Sequence, residues 1–157
     1  MAQHLLNQVH SLLIKKAKTV AVAESCTGGL LSKLFTDLAG SSRYFIFGAV
    51  TYSNQAKIKI LRLPSQLIAK NGAVSAPVAK IMAKNVRRLF KTDFGIAITG
   101  IAGPSGGSKA KPVGTVFIAV DAGEKKICKK FLFSGSRKSI RTQSALKSLE
   151  LLKKCLA

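Results

Sequence analysis

The stretch Val20–Gly29, reading Val-Ala-Val-Ala-Glu-Ser-Cys-Thr-Gly-Gly, constrains this chain more than any other. A short apolar run climbs to Ala23, stops at Glu24 and Ser25, and passes through Gly28-Gly29 into the helical spacing of Leu30, Leu31, Leu34, Phe35 and Leu38. Such a run predicts a strand, a tight turn and a helix, with Ser25 at the turn. In open α/β sheets ligands sit outside the carboxyl ends of the strands. A helix beginning near Thr27 would aim its free backbone N–H groups at that place. Two roles for Ser25 follow: a nucleophile with oxyanion donors at hand, or only a cap for the helix.

The rest of the chain alternates in the same way. Leu5, Leu6, Val9, Leu12 and Leu13 predict an amphipathic helix over about residues 3–16, with both histidines, His4 and His10, on or beside it. Val20–Ala23 reads as a strand, Gly29–Leu38 as a helix, and Phe45–Tyr52 as a second strand. Ser53 and Asn54 can cap a short helix carrying Lys57, Ile58 and Leu61. Pro64 opens another, stopped by Asn71-Gly72, and Ser75 precedes a longer helix whose apolar positions are Val78, Ile81, Met82, Val86, Leu89 and Phe90. Phe94–Ile98 is a continuous apolar strand running into Thr99-Gly-Ile-Ala-Gly-Pro-Ser-Gly-Gly. Val113–Val120 and Ile127–Phe133 predict a hairpin turning over Asp121–Glu124, and a last helix carries Ile140, Leu146, Leu149, Leu152 and Leu156. The expected fold is a single domain over residues 1–157: a three-layer α/β/α sandwich whose mixed central sheet includes an antiparallel hairpin.

Composition narrows the function classes. With 47% hydrophobic residues the chain can build a core, and no apolar run approaches the ~20 residues of a membrane span. No signal-peptide pattern opens it, and its three scattered cysteines fit a reducing cytoplasm better than a disulfide framework. The net charge of +20 rests on 20 lysines and only six arginines, with no Trp and two Tyr. General electrostatics would permit nucleic-acid binding, but a solvated lysine surface explains the same numbers and is favoured over it. The glycine loop after Ile98 lacks the Gly-Lys-Ser/Thr order of a P-loop, and the six carboxylates form no close cluster in sequence for a metal. Neither histidine has nearby partners, so His-based triads are poorly supported. What remains is a hydroxyl at Ser25 and a lysine base. Lys57, five residues beyond a neighbouring strand that ends in Tyr52, reaches the same rim of the sheet if the two strands run parallel; it is otherwise one solvated lysine among twenty.

Five motifs in register carry a resemblance: Ala23-Glu-Ser-Cys-Thr-Gly-Gly, Val50-Thr-Tyr-Ser-Asn-Gln-Ala-Lys57, Gly72-Ala-Val-Ser, Thr99-Gly-Ile-Ala-Gly-Pro and Lys111-Pro-Val-Gly-Thr-Val. Together they resemble the CinA C-terminal family over about residues 5–155. The resemblance implies a metal-independent, cofactor-free serine amidohydrolase that converts nicotinamide mononucleotide to nicotinic acid mononucleotide and ammonia in pyridine-nucleotide recycling. It implies Ser25 as nucleophile, Lys57 as base, and Tyr52 as an auxiliary hydroxyl orienting that base. Backbone N–H groups near Cys26, Thr27 and Gly28 would hold the oxyanion, and the loop carrying Thr99, Gly100, Gly103 and Gly106 would approach the substrate. Arg141, with Arg137 as its rival, would take the ribose phosphate. A homo-oligomer is expected. Alternatives are a competence-related nucleic-acid module and a homologue that binds the nucleotide without hydrolysing it. The chain departs from the family's habit at Ser108-Lys-Ala-Lys111 and at Lys80, both commonly acidic regions in relatives. The molybdopterin-binding-like domain of two-domain relatives, with its pyrophosphatase activity, is expected to be absent.

Overall fold

Alternation along three central strands decides which helices lie on which face of the sheet. The computed structural model describes residues 2–157. Its elements are α1 (Ala2–Lys15), β1 (Val20–Glu24), α2 (Leu30–Thr36), a one-turn 3-10 helix (Ser41–Arg43), β2 (Phe45–Val50), α3 (Asn54–Leu61), α4 (Ser65–Asn71), α5 (Ala76–Leu89), β3 (Phe94–Gly100), β4 (Thr115–Ala122), β5 (Lys125–Leu132) and α6 (Arg137–Leu156). The strands form one sheet in the order β2-β1-β3-β4-β5, with β1 parallel to both β2 and β3 and the β3-β4 and β4-β5 pairs antiparallel. It is the mixed three-layer α/β domain that the sequence predicts.

The two faces carry different side chains. Val20, Val22, Ile96, Ile98, Val116 and Ile118 pack with residues of α1, α2 and α6. Ala21, Ala23, Ala97, Phe117 and Ala119 pack with residues of α3, α4 and α5. Branched residues build a thick layer on the first face, whereas the alanine-rich second face lets α5 settle close. Gly95 is the limit of that approach, because a Cβ there would stand 2.0 Å from the Ala83 carbonyl oxygen.

Element boundaries moved where side chains compete for backbone. The second helix begins at Leu30, with Gly29 as its N-cap residue and no side-chain cap bond there. Ser25 therefore caps nothing. The capping falls to Glu24, fully buried, whose carboxylate accepts from the Leu31 N–H (3.0 Å), the Ser32 N–H (2.8 Å) and the Ser32 hydroxyl (2.7 Å). The amides at this end of α2 are thus committed to Glu24, which corrects the expectation that they face a ligand. The hairpin ladder also runs further than predicted, through Asp121↔Lys126 and Ala122↔Lys125, because Asp121 is held by Arg87 at 2.6 Å and Gly123 takes the turn.

Hydrogen bonds to a charged group contribute more than neutral ones, so Glu24→Ala should lower the unfolding free energy by about 2–4 kcal/mol in urea titration. A loss below about 0.5 kcal/mol would show that this carboxylate is not what anchors α2.

Candidate active site

The parallel trio creates a crevice. The connection leaving β1 goes to β2 on one side, and the one leaving β3 goes to β4 on the other, so the loops diverge at the carboxyl ends of β1 and β3. Parity along β1 then sorts its last residues. Val20, Val22 and Glu24 turn toward α2, and Ser25, next in line after Ala21 and Ala23, turns toward the α3 side. Its N–H still bonds the Ile98 carbonyl at 3.0 Å, which ties the turn to β3.

Lys57 arrives from the same side. Ser53 caps α3 by accepting from the Ala56 N–H at 3.0 Å, and Lys57 lies one turn in, only 1% exposed. Its Nζ lies 3.0 Å from Ser25 Oγ, and it donates to the Thr51 carbonyl at 2.8 Å and the Tyr52 carbonyl at 3.1 Å. Thr51 is in turn fixed by its N–H on the Glu24 carbonyl at 2.8 Å. No carboxylate pairs with this amine; the ion pairs among the described residues are Lys18–Asp93, Lys33–Asp37, Arg87–Asp121 and Lys147–Glu150. Burial without a counter-charge disfavours the ammonium, and the Lys57 pKa is lowered from its ordinary 10.5 by that desolvation, with a smaller opposing influence from Cys26. A neutral amine has two N–H bonds and one lone pair. Nζ donates to the Ser25 hydroxyl as well as to both carbonyls; on losing a proton it would keep the two carbonyl bonds and turn its lone pair to the Ser25 proton.

Beside Ser25, burial pushes the Cys26 thiol up to about 11, so it stays protonated near neutral pH and does not compete as a nucleophile. The Gly28 N–H is engaged by the Ser25 carbonyl at 3.0 Å. The two histidines take no part: His4 bonds Gln8 and His10 bonds the Tyr44 hydroxyl, both on the α1 side.

A cavity of about 270 Å³ opens over the pair, lined by Ser25, Cys26, Tyr52, Lys57, Thr99, Gly100, Gly103, Gly106 and Arg137 among the residues predicted from sequence. Thr27, Gly28 and Arg141 are not part of its wall. Arg141 instead donates to the Thr27 carbonyl at 2.8 Å, close over Gly28, where a Cβ would meet its guanidinium at 3.2 Å. It braces the turn from outside. Arg137, one turn earlier on α6, donates to the Gly103 carbonyl at 2.7 Å and the Tyr52 hydroxyl at 3.2 Å. Tyr52 thus touches Lys57 by its carbonyl and Arg137 by its hydroxyl. Thr99 commits its hydroxyl to the Ala73 carbonyl at 2.8 Å. Sequence reading missed Asn54, Ala73, Val74, Ile101, Ala102 and Ser105, which complete the wall. All six lie inside the recognised motifs or directly beside them, as Ala73-Val74 does in Gly72-Ala-Val-Ser, but no chemistry in their side chains singled them out.

A family model described as CinA C-terminal domain matches residues 2–156. The chain belongs to the CinA C-terminal domain family. It is 48% identical over 150 residues to a "CinA-like protein" of Syntrophus aciditrophicus, covering 95% of this chain and 36% of that protein. It is 50% identical over 148 residues to a "Putative competence-damage inducible protein" of Caldanaerobacter subterraneus, covering 94% and 36%. The CinA domain described here therefore spans about a third of the length of these relatives. Among solved structures, a CinA superfamily protein from Klebsiella pneumoniae superposes with a TM-score of 0.95 at 29% identity, covering 99% of this chain and 98% of that one. The competence/damage inducible protein CihA from Agrobacterium tumefaciens gives 0.95 at 35% identity, covering 98% and 94%. No helix among the described residues is long and apolar enough to cross a membrane.

Proton linkage gives a test of the buried amine. The unfolded chain binds the Lys57 proton up to 10.5, while the folded protein releases it lower, so wild type gains stability as pH rises through that window. Relative to Lys57→Met, the wild-type unfolding free energy should improve between about pH 8 and about pH 10. A difference that stays constant would mean that folding leaves the Lys57 proton affinity unchanged.

Proposed function

We propose that this CinA domain is a serine amidohydrolase that deamidates nicotinamide mononucleotide to nicotinic acid mononucleotide and ammonia. The observation that carries the reading is the 3.0 Å approach of the Lys57 amine to Ser25 Oγ in a buried setting without a carboxylate partner. The nucleotide itself comes from the likeness of the five motifs to the family, and the cavity's mixture of glycine backbone and one guanidinium, Arg137, is compatible with it.

In this mechanism the neutral Lys57 amine takes the Ser25 proton as Oγ bonds to the carboxamide carbon. The carbonyl oxygen becomes an oxyanion, for which the amide of Cys26, in the cavity wall, is the donor that the turn leaves over once Gly28 is engaged. Collapse breaks the C–N bond, and Lys57 returns the proton to the departing nitrogen, which leaves as ammonia. Water then attacks the Ser25 ester, giving its proton to Lys57. The ester C–O bond breaks, the carboxylate product departs, and Ser25 Oγ regains its proton. Arg137 binds the phosphate, and Arg141 keeps the turn in place from behind.

Ile46 and Val50, half exposed along the free edge of β2, support the further reading that the protein self-associates.

Purified protein should release ammonia from nicotinamide mononucleotide. Ser25→Ala should abolish turnover, and Lys57→Ala should lower kcat by at least ~10²-fold with the fold intact by circular dichroism. No ammonia from folded wild type would reject the reading. Arg137→Ala should raise KM about tenfold with a smaller change in kcat, whereas an equal loss from Arg141→Ala through KM alone would assign the phosphate to the other arginine.

A further inference from the structure

At the opposite end of the sheet from Ser25 lies a second and larger cavity, of about 450 Å³. Register places it: β3 and β4 are antiparallel, and Gly100↔Val116 lies at the Ser25 end while Gly95↔Asp121 lies at the other, where this cavity opens. It opens between α5 and the β4-β5 hairpin. The α5-side face of the hairpin, with Ala119, Asp121, Lys126 and Cys128, is left as a floor, and Lys80, Ile81 and Lys84 of α5 form the wall.

Charge in this cavity is one-sided. Its only carboxylate, Asp121, is 3% exposed and already satisfied by Arg87 at 2.6 Å and the Gly123 N–H at 3.0 Å. Lys80, Lys84 and Lys126 are in none of the ion pairs among the described residues. Three ammonium groups around one concave surface repel each other, and a multiply charged anion seated between them removes that repulsion. The apolar floor and wall, Ala119 and Ile81, offer contact to an organic body.

We propose that this cavity is a second ligand site, for a small organic phosphate whose anionic group sits among Lys80, Lys84 and Lys126 while its apolar body lies on the hairpin floor. The site is independent of the hydrolase reading, since it shares no residue with the Ser25 cavity.

The experiment is calorimetric titration with adenosine 5′-diphosphate, inorganic pyrophosphate, adenosine and an oligo-aspartate peptide. It compares wild type, Lys80→Glu/Lys126→Glu and Arg137→Ala, each checked for folding by circular dichroism. The diphosphate should bind wild type and Arg137→Ala alike, and at least tenfold more weakly to the double lysine variant. It should also bind at least tenfold more tightly than pyrophosphate or adenosine. Equal affinity in the double variant, loss in Arg137→Ala, or absence of binding to wild type would overturn the site. Pyrophosphate binding as tightly as the diphosphate, or the peptide binding more tightly, would overturn the ligand class.

Discussion

A lysine amine buried among neutral acceptors is the constraint on which the rest of this molecule turns. Water would hold Lys57 as an ammonium; here burial withdraws water and supplies two carbonyls and a serine hydroxyl in its place. Such an arrangement works only if no carboxylate comes near, and one is close in sequence. Glu24 immediately precedes Ser25, yet strand parity turns it to the other face of β1. There α2 absorbs its charge through two amides and a hydroxyl. Its carbonyl meanwhile anchors Thr51, one of the acceptors of the Lys57 amine. One residue thus fixes the helix on one side of the sheet and the amine's cradle on the other.

The two faces of the sheet serve this division. The branched face supports α1, α2 and α6, and α6 brings both arginines to the turn: Arg137 into the cavity, Arg141 against the Thr27 carbonyl. The alanine face lets α5 lie close at Gly95, and the Ala73-Val74 segment leading into that helix lines the Ser25 cavity. Between the same helix and the β4-β5 hairpin opens a lysine-rimmed hollow. Most of the +20 charge has no acid to meet it, so clustering of lysines follows from composition while its location follows from topology.

Much of this was legible in the chain itself. Apolar periodicity, with capping and turn residues for the short α3 and α4, found every strand and α-helix but not the 3-10 turn at Ser41–Arg43, because long runs such as Phe94–Ile98 leave little choice of period. Ser25 and Lys57 were legible because strand ends are where side chains become available, and a parallel β1-β2 pair brings their flanking turns together. The helix start was misread because Ser25 and Thr27 look like caps, whereas Glu24 reaches past both from within the strand. Nothing in spacing distinguishes a carboxylate that caps from one that catalyses. Sequence put Arg141 ahead of Arg137, two residues one helical turn apart; the packing of the Gly28 turn is what separates them, with Arg141 on the Thr27 carbonyl and Arg137 in the cavity wall. The Tyr52 hydroxyl, expected on Lys57, is drawn away by Arg137 across 85 residues of chain, a contact without local signature.

The central claim is that burial without a counter-charge makes Lys57 give up its proton more readily than an ordinary lysine. Heteronuclear NMR of lysine-¹⁵N-labelled protein, with Lys57→Met to assign the resonance, reads the charge of that nitrogen directly. A Lys57 Nζ resonance that passes from the ammonium to the neutral-amine shift at a lower pH than the other lysines is what this account predicts. An ammonium shift that persists until the surface lysines titrate would contradict it.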